Sequence, residues 1–278
     1  MLDFRLREEP GIDPHWFVHH IRDYLAYDAD SCFALQDGGE TIGMITSMTY
    51  QTVGWLGWLY VAERNRKQGL GEELMRRAVG HLISRNMKSI VLEAVVEAVP
   101  LYKRVGFSEQ FFTQHYKITP DRFAPVDFSE VVVEPFQLTQ LEKLAVWDEQ
   151  YFHQNRRHVL GIMSVNQHFE GWVARVDGKT AGYLFASEAT DDRQVGPLVV
   201  DPNAGDAAML VSALVNAAFE ASRKPLHVRC PLIHPERSRP LDDIGAVEIE
   251  YHTVRMFLGD LYLLESPGVL CLGCPGRG

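Results

Sequence analysis

The segment VAERNRKQGLGEELM, which begins at Val61, combines glycines with cationic side chains in a pattern suited to binding an anion. Gly69 and Gly71 can adopt positive φ angles and bring main-chain N–H groups close to a ligand. They stand in the first turn of a predicted helix, where unpaired N–H groups and the positive end of the helix dipole favour negative charge. Arg66 and Lys67 add positive charge beside this turn. The segment therefore predicts a site for a phosphate or a pyrophosphate.

The spacing of the glycines decides which phosphate ligand fits. The sequence GLGEEL lacks the third glycine of the dinucleotide fingerprint, and no GxxxxGK(S/T) motif occurs, so nicotinamide cofactors and P-loop nucleotides both fit badly. The loop does match RxxGxG as RKQGLG, and the segment LEAVVEAVPLYKRVGF, residues 92–107, follows it. Through these two motifs the first half of the chain resembles the GNAT acetyltransferases, in which the loop binds the pyrophosphate of acetyl-CoA.

The resemblance implies an acetyl-CoA site built mainly from backbone groups. In this family the strand before the loop splays from its neighbour and offers main-chain groups to the acetyl carbonyl and the pantetheine, and it corresponds here to Leu59, Tyr60 and Val61. The pyrophosphate would be wrapped by the loop that consists of Arg66, Lys67, Gln68, Gly69, Leu70, Gly71 and Glu72. Leu59 and Val61 also fit a plain strand core, and both interpretations can hold together.

The reaction implied by this resemblance is the attack of a neutral amine on a thioester. An alkyl amine with a pKa of about 10 is only about one part in a thousand neutral at pH 7, so a base or a chain of water molecules must help it. The departing thiolate benefits from a nearby acid. Tyr102, in PLYKRVGF, corresponds to the tyrosine that usually serves as that acid in the family. The alternative is a tyrosine that only packs a short helix onto the sheet.

The base is less well defined by the sequence. Some family members carry a glutamate on the strand before the loop, where this chain has Trp55, so that residue does not transfer. Glu93, in the predicted strand SIVLEAVV, is the carboxylate nearest in sequence to the expected splay of the strands. Alternation along the strand directs its side chain either into the cleft or into solvent. His20 and His115 are further candidates because imidazole titrates near neutral pH. The asparagine with which many relatives contact the cofactor is replaced here by Val95.

The elements that must position these residues form a mixed α and β pattern. Apolar residues recur every four positions from Gln68 to Ser84, which predicts a helix with one apolar face after the glycine loop. An Asp-Gly-Gly turn between two apolar runs predicts a hairpin before that loop. The other predicted elements are a strand at residues 4–7, a helix at 14–27, the strands TVGWLGWLYV, SIVLEAVV and FSEQFFTQHYKI, and the short helix AVPLYKRVG.

Residues 119–130, TPDRFAPVDFSE, break both periodicities and predict a linker. The second half then repeats the order of the first: a helix, a hairpin across an Asp-Gly turn, a strand, a long helix, a strand, a short helix and closing strands. Such a repeat fits a duplicated domain. We therefore expect an α/β (α+β) fold of two tandem GNAT-like domains, each a mixed central sheet flanked by helices. The expected limits are a catalytic domain at 1–120, a degenerate copy at 131–260 and a tail at 261–278.

The second copy is expected to lack an acetyl-CoA site. Its segment DPNAGD has no RxxGxG motif and places acids where a pyrophosphate would lie. A family subgroup with a second, diverged GNAT-like domain resembles the chain over nearly its full length. The second copy either covers the cleft of the first and lines an acceptor pocket, or only buries a shared face. The candidate lining residues are Trp172, Tyr183, Glu188, His234 and Arg255.

Composition argues against several functional classes. The formal charge of −10 over 278 residues argues against nucleic-acid binding, which needs a basic face. No apolar run reaches the ~18–20 residues of a membrane span, and the first residues show no signal pattern, so a cytoplasmic protein is predicted. Cys271 and Cys274 form a CxxC without a second pair, which favours a disordered tail over a metal or redox site. No metal is expected.

These observations predict an acetyl-CoA-dependent N-acetyltransferase that transfers an acetyl group directly to a primary amine of a small or amino-acid-like molecule. A second hypothesis keeps this chemistry but takes a protein lysine or N-terminus as the acceptor. A third, of a different class, is a CoA-binding regulatory module without turnover. Tyr102 argues against the third hypothesis, and a second domain that closes over the cleft would argue against large protein acceptors.

Overall fold

The structure is a computed structural model that describes residues 14–189, 191–262, 264 and 266–273. The strand predicted at residues 4–7 lies outside this part of the chain. The helices in chain order are α1 (Pro14–Asp28), α2 (Leu70–Ser84), α3 (Val99–Arg104), α4 (Leu141–Phe152), α5 (Arg157–Val165), α6 (Ala207–Ala221) and α7 (Arg239–Asp242). The strands are β1 (Cys32–Asp37), β2 (Glu40–Thr49), β3 (Val53–Val61), β4 (Ser89–Val95), β5 (Ser108–Ile118), β6 (Val132–Pro135), β7 (Phe169–Val176), β8 (Lys179–Glu188), β9 (Arg193–Val200), β10 (Leu226–Leu232), β11 (Val247–Gly259) and β12 (Val269–Cys271).

The described residues form two compact units that do not follow the linear division of the sequence. Unit 1 comprises the residues up to Gln110 together with Thr253–Tyr262. Unit 2 comprises Phe111–His252 and the described residues from 264 to 273. The boundaries fall within β5 and close to the middle of β11, and the predicted linker at 119–130, which contains neither helix nor strand, lies inside unit 2.

Unit 1 is built on a mixed sheet. β1 pairs with β2 and β2 with β3, both antiparallel, and the β1–β2 hairpin turns at Gly38 and Gly39, whose φ angles are 54° and 85°. β3 and β4 run parallel, and β4 pairs antiparallel with the Thr253–Gly259 part of β11. Parallel neighbours need a crossover connection, and α2 supplies it. The hairpin and the crossover helix are both present as the sequence predicts.

Helix α2 covers one face of the unit 1 sheet with its apolar side. Leu74, Met75, Ala78, Val79 and Leu82 are buried, and they recur at the three- and four-residue spacing of an amphipathic helix. They form one core with strand residues that include Ile45, Leu56, Ile90, Leu92 and Met256. Burial of each large apolar side chain contributes about 1.5–3 kcal/mol. This packing fixes the first turn of α2 beyond the end of β3.

Unit 2 repeats this arrangement of strands. β6, β7, β8 and β9 pair antiparallel in that order. β9 and β10 are parallel neighbours with α6 between them in the chain, and β10 pairs antiparallel with β5. Both units therefore show the same succession, in which antiparallel strands lead to a parallel pair and then to an antiparallel last strand. The predicted mixed α/β fold with an internal repeat is confirmed.

The last strand of each unit comes from the half of the sequence that otherwise builds the other unit. Residues 253–259 pair with β4 in unit 1, and residues 112–118 pair with β10 in unit 2. The units therefore differ from the predicted limits at residues 120 and 260. The two-residue periodicity of a strand indicates which of its faces is apolar, but it does not indicate which strand is its neighbour. The linear sequence therefore could not show that the two units exchange their last strands.

The segment predicted as a tail contains a strand. β12 pairs antiparallel with β9, with Val269 opposite Val199 and Cys271 opposite Leu198. The residues of the apolar run VLCL, 269–272, are buried, and Leu270 and Cys271 belong to the core of unit 2. The interpretation of the tail as a disordered end is therefore wrong for these residues, because their apolar side chains pack into that core. The second cysteine of CLGC, Cys274, lies outside the described residues.

Candidate active site

Strands β3 and β4 separate part of the way along their length. Their parallel register ends at Leu56 opposite Leu92, although the strands continue to Val61 and Val95. β3 also carries a bulge in its pairing with β2, where Trp58 adopts a φ of 55°. Beyond Leu56, the edge of β3 that faces β4 presents main-chain N–H and C=O groups that a continuous ladder would occupy. The separation opens a slot with one wall of backbone groups.

A cleft of about 710 Å³ includes this slot. It is lined by the separated ends of β3 and β4, the loop between β3 and α2, the first turn of α2, and α3. Every residue that the sequence predicts for cofactor binding lines it except Gln68, which is exposed on the loop. The shared residues are Leu59, Tyr60, Val61, Arg66, Lys67, Gly69, Leu70, Gly71 and Glu72.

The first turn of α2 forms one wall of the cleft. Gly69 is the N-cap residue with a φ of 83°, and Lys67 before it has a φ of 61°. Gly69 has no side chain that could occupy the helix N-terminus. A Cβ built on Gly71 would lie 3.6 Å from Leu101 and 3.8 Å from Val61, so a large side chain there would fill the cleft. The N–H groups of this turn are thereby left for an anionic ligand.

Neighbouring side chains hold the charged residues beside this turn in place. The guanidinium of Arg66 lies 5.3 Å from the ring centroid of Tyr60. Glu72 accepts a hydrogen bond from Arg76 at 2.8 Å, and Nε of Arg104 lies 3.5 Å from it. The hydrogen bond from Arg76 lowers the pKa of Glu72, so the carboxylate stays ionised. The arginines beside Glu72 offset its charge, so it opposes an anion in the cleft only weakly.

Tyr102 lies on α3 and lines the cleft. It is 9% exposed, and its ring packs edge-on against Phe107 with centroids 6.3 Å apart. Burial raises the pKa of Tyr102 to about 12, so the hydroxyl keeps its proton throughout the neutral range. The sequence leaves two interpretations open, a proton donor or a packing residue, and the position of the ring is consistent with both.

Glu93 also lines the cleft, and its charge is paired. It lies on β4 opposite Arg255 of β11, and its Oε1 accepts a hydrogen bond from Nε of Arg255 at 2.7 Å. Its Oε2 accepts from the hydroxyl of Thr253 at 3.0 Å. The carboxylate side chain is only 5% exposed. Of the two directions that strand alternation allows, Glu93 therefore takes the one toward the cleft rather than into solvent.

Arg255 and Thr253 are partners of Glu93 that the sequence does not reveal. Arg255 stands 162 positions after Glu93, and the sequence placed it among candidates of the second domain, whereas it belongs to unit 1. It is 1% exposed, and its guanidinium lies 4.3 Å from the ring centroid of Trp55. The available signal was an arginine inside the apolar run TVRMFL, because a charged side chain in a buried strand needs a partner.

The histidines proposed as alternative bases are not among the residues that line the cleft. His20 is buried on α1, with its ring centroid 6.3 Å from that of Trp58. His115 belongs to unit 2, where its Nδ1 lies 3.0 Å from Nε2 of His227. Burial, assisted by the charge of Arg229, lowers the pKa of His115 to about 3. Packing within unit 2 therefore accounts for His115.

The corresponding place in unit 2 is built differently. The parallel register of β9 and β10 covers residues 193–194 opposite 226–227, and β12 pairs with β9 beyond that point. Asp206 is the N-cap residue of α6, and its carboxylate accepts from the N–H of Ala208 at 2.8 Å. An acid thus occupies the helix N-terminus that an anion would need, and a strand of the same chain lies in the slot. Both features agree with the expectation that the second copy binds no acetyl-CoA.

Arginine side chains of unit 2 hold β12 and its neighbours in this slot. They donate hydrogen bonds to main-chain carbonyls of the described residues between 264 and 273. The bonds are 3.4 Å from Arg156 to Leu272, 3.1 Å from Arg229 to Gly273, and 3.3 Å from Arg237 to Val269 and to Leu264. The segment is therefore an integral part of unit 2.

The second-half residues proposed to line an acceptor pocket lie in unit 2, apart from Arg255. Tyr183 is fully buried. The guanidinium of Arg193 lies 5.3 Å from the ring centroid of Trp172. Glu188 forms an ion pair with the same arginine at 2.8 Å. His234 is the N-cap residue of a short 3₁₀ helix. Burial and these contacts explain Trp172, Tyr183 and Glu188 as parts of the structure of unit 2, whereas His234 is exposed and its side chain makes no capping hydrogen bond.

Across the residues that the structure describes, no helix is long and apolar enough to cross a membrane. The same part of the chain contains no group of three or more histidine, cysteine, aspartate or glutamate side chains arranged to hold a metal ion. Cys32, Cys230 and Cys271 carry free thiols.

Comparison with known proteins relates the first part of the chain to one family of enzymes. Residues 1–107 match the sequence model of the acetyltransferase (GNAT) family. A curated relative, N-alpha-acetyltransferase 30 of Dictyostelium discoideum, is 28% identical in an alignment of 107 positions that covers 36% of this chain and 58% of that protein. This chain therefore spans little more than half the length of that relative.

Solved structures share the fold of the whole chain. A candidate acetyltransferase from Pyrococcus horikoshii superposes with a TM-score of 0.81 at 18% identity, covering 100% of this chain and 91% of that one. A tandem GNAT protein from the clavulanic acid biosynthesis pathway gives a TM-score of 0.61 at 15% identity and covers 93% of each chain. At these identities the likeness establishes the fold alone.

Proposed function

We propose, from the match of residues 1–107 to the acetyltransferase (GNAT) family model, that the protein is an acetyl-CoA-dependent N-acetyltransferase. The observation that carries the proposal is the cleft of unit 1, in which a helix N-terminus without a side-chain cap stands beside a splayed strand. The proposed acceptor is a primary amine of a small or amino-acid-like molecule, and the proposed location is the cytoplasm.

We expect acetyl-CoA to lie along the slot with its pyrophosphate at the start of α2. The N–H groups from Gly69 to Glu72 would bind the phosphate oxygens, with Arg66 and Lys67 adding charge. Residues 57–61, which lie beyond the last pair of β3 with β4, would offer main-chain groups to the amides of pantetheine, much as a neighbouring strand would. Val95 lines the same cleft but has no polar side chain, so the backbone must supply the contacts that an asparagine makes in many relatives.

The acceptor amine must be neutral when it attacks the thioester carbonyl. We propose that Glu93 receives the amine and takes its proton, directly or through a water molecule. The attack forms a C–N bond and an oxyanion, which main-chain N–H groups of β3 around Tyr60 would stabilise. Collapse of this intermediate breaks the C–S bond and leaves an amide and a thiolate. The amine loses two protons in all: Glu93 takes the first and releases it to solvent, and the second, lost from the ammonium of the intermediate, is the one that the thiolate gains.

Tyr102 is proposed to stabilise the departing thiolate. With a pKa of about 12 it is a weaker acid than a thiol, whose ordinary pKa is about 8.5, so the sulfur does not simply deprotonate it. A hydrogen bond from the hydroxyl stabilises charge on the sulfur as the C–S bond breaks. The tyrosine passes its proton to the sulfur as it takes one from the ammonium of the intermediate, so it is neutral again at the end of the step. This role needs the neutral tyrosine that burial provides.

Two observations bear on the acceptor. The Dictyostelium relative is named for N-alpha acetylation, which favours a protein N-terminus as the second candidate. The tandem GNAT protein is named for clavulanic acid biosynthesis, a small-molecule pathway, which agrees with a small amine. A CoA-binding module without turnover would need neither Tyr102 nor Glu93 in the cleft, and the presence of both there favours an enzyme.

Thiol release from acetyl-CoA tests this proposal. We expect release with small primary amines or amino acids, and little or none with peptides that present a free N-terminus or a lysine. Tyr102→Phe keeps the packing ring and removes the hydroxyl, so kcat should fall about 100-fold or more while the Kd of acetyl-CoA stays within about twofold. Tyr251→Phe, at an exposed position of unit 2, is the matched control. Binding of acetyl-CoA without release for every acceptor would support the regulatory module instead.

A further inference from the structure

We infer that Thr253 and Arg255 are positioning residues that hold the carboxylate of Glu93 toward the acceptor amine. Both lie on the part of β11 that belongs to unit 1, although they come from the second half of the sequence. The inference rests on the proposed acetyl transfer, in which Glu93 receives the amine. It assigns residues far along the sequence a role in the cleft of unit 1.

The register of β4 and β11 places these side chains on one face of the sheet. Glu93 lies directly opposite Arg255, and Thr253 lies opposite Val95, two residues further along β4. Because side chains alternate along a strand, all three polar residues share a face and are close enough to contact one another. Trp55 of β3 lies against the guanidinium of Arg255. The polar cluster therefore spans adjacent strands at the splay.

Each carboxylate oxygen of Glu93 has a donor of its own. Oε1 accepts from Nε of Arg255 at 2.7 Å and contacts Nη2 of the same guanidinium, whereas Oε2 accepts from the Thr253 hydroxyl at 3.0 Å. Donors on different oxygens fix both the position and the rotation of the carboxylate plane. An ionised carboxylate accepts about four hydrogen bonds, so these donors do not by themselves saturate it.

Stability alone does not account for this cluster. Arg255 and Glu93 are almost completely buried, and taking two charges out of water costs several kcal/mol per ion before their attraction compensates. Replacement of a buried ion pair by apolar side chains of similar volume is often neutral or stabilising. An arginine and a threonine that donate to one carboxylate at the wall of a cleft, with a tryptophan packed against the arginine, are instead what orientation of that carboxylate requires.

The hydroxyl of Thr253 can be tested without disturbing the ion pair. Thr253→Val keeps the branched shape and removes the donor, whereas Thr253→Ser keeps the donor and removes a methyl group. We expect kcat to fall about threefold to tenfold in Thr253→Val, the effect of one lost hydrogen bond, and to stay within about twofold in Thr253→Ser. The KM for acetyl-CoA should not change in either variant. Thermal unfolding of both variants gives the loss of stability against which the losses of kcat are compared.

Arg255→Lys tests the second donor. Lysine keeps the positive charge but offers a point donor in place of a planar fork, so the carboxylate gains rotational freedom. We expect kcat to fall about tenfold or more with an unchanged KM for acetyl-CoA. Arg239→Lys, at a position of unit 2 whose side chain is 80% exposed, is the control and should leave both constants unchanged.

The outcomes separate this inference from the proposed function. A Thr253→Val variant that turns over at the wild-type rate would overturn the positioning role. So would losses of kcat in the valine and serine variants that scale with their losses of thermal stability, because a purely structural role would affect both in proportion. A wild-type protein that transfers acetyl to no amine contradicts the proposed function itself and the inference with it, whereas an active wild type with an indifferent valine variant contradicts the inference alone.

Discussion

A negative charge at residue 69 is predicted to weaken acetyl-CoA binding without unfolding the protein. Gly69 is exposed at the N-terminus of α2, and a Cβ built there would meet no atom within 4 Å. Its φ of 83° lies in the left-handed region, which asparagine and aspartate tolerate better than other side chains. Gly69→Asp and Gly69→Asn therefore share their size and their backbone cost, and differ in one charge.

The magnitude follows from Coulomb's law. A carboxylate at residue 69 would lie roughly 5 Å from a pyrophosphate at the helix N-terminus, where two unit charges repel by about 0.8 kcal/mol in water and about 3 kcal/mol at an effective dielectric constant of ~20. The position is exposed, so the value per charge lies near the lower limit, but a pyrophosphate carries about two charges. A total of about 1.5–3 kcal/mol corresponds to a loss of affinity of roughly 10- to 150-fold.

Isothermal titration calorimetry of acetyl-CoA with both variants measures this difference directly. The ratio of the two Kd values should be large at low ionic strength and should shrink in 1 M salt, where the screening length falls to about 3 Å. Thermal unfolding should differ between the variants by no more than the roughly 0.3–1 kcal/mol that a negative charge contributes at a helix N-terminus, because they share the same steric and backbone cost. Equal Kd values for Gly69→Asp and Gly69→Asn would refute the placement of the pyrophosphate at the start of α2.

The remaining predictions concern unit 2. Burial lowers the pKa of His115 to about 3 and that of His227 to about 4, so below pH ~6.5 the unfolded chain binds more protons and stability falls as the pH drops toward 4. Urea midpoints between pH 7 and 4.5 should fall less steeply in His227→Gln, and equal slopes would contradict this origin. Val269→Asp puts an unpaired charge into the buried strand β12 and should cost more than about 3 kcal/mol in urea unfolding, whereas Val247→Asp at a partly exposed site should cost under about 1 kcal/mol. Titration should give one acetyl-CoA per chain, since Asp206 and β12 occupy the corresponding place in unit 2; two sites would contradict that explanation.

The local parts of the cleft could be predicted from the sequence. The glycine loop, the first turn of α2 and the apolar side of that helix all depend on residues within a few positions of one another. That is why RKQGLG and the four-residue spacing predict both the anion-binding turn and the helix behind it. The resemblance to a family added Leu59, Tyr60, Val61 and Tyr102, which line the cleft with the loop.

Glu93 shows where prediction from the sequence ends. Alternation along β4 allows two directions for its side chain and does not choose between them. The choice is made by Arg255 and Thr253, which contact it from a strand 160 or more positions away, and by Trp55, which packs against the arginine. No spacing rule connects such residues, because the pairing of strands depends on the free energy of the whole sheet.

The sequence by itself therefore determined the turn that can bind an anion, the helix that presents it, the mixed α/β class and the internal repeat. Only the tertiary structure decided that residues 253–259 complete unit 1, that residues 112–118 complete unit 2, and that 269–271 form a strand on β9. Turns and helices close their hydrogen bonds within a few residues, so their signals are local. A strand closes its hydrogen bonds with any edge of matching register, and its own sequence carries no record of which edge that is.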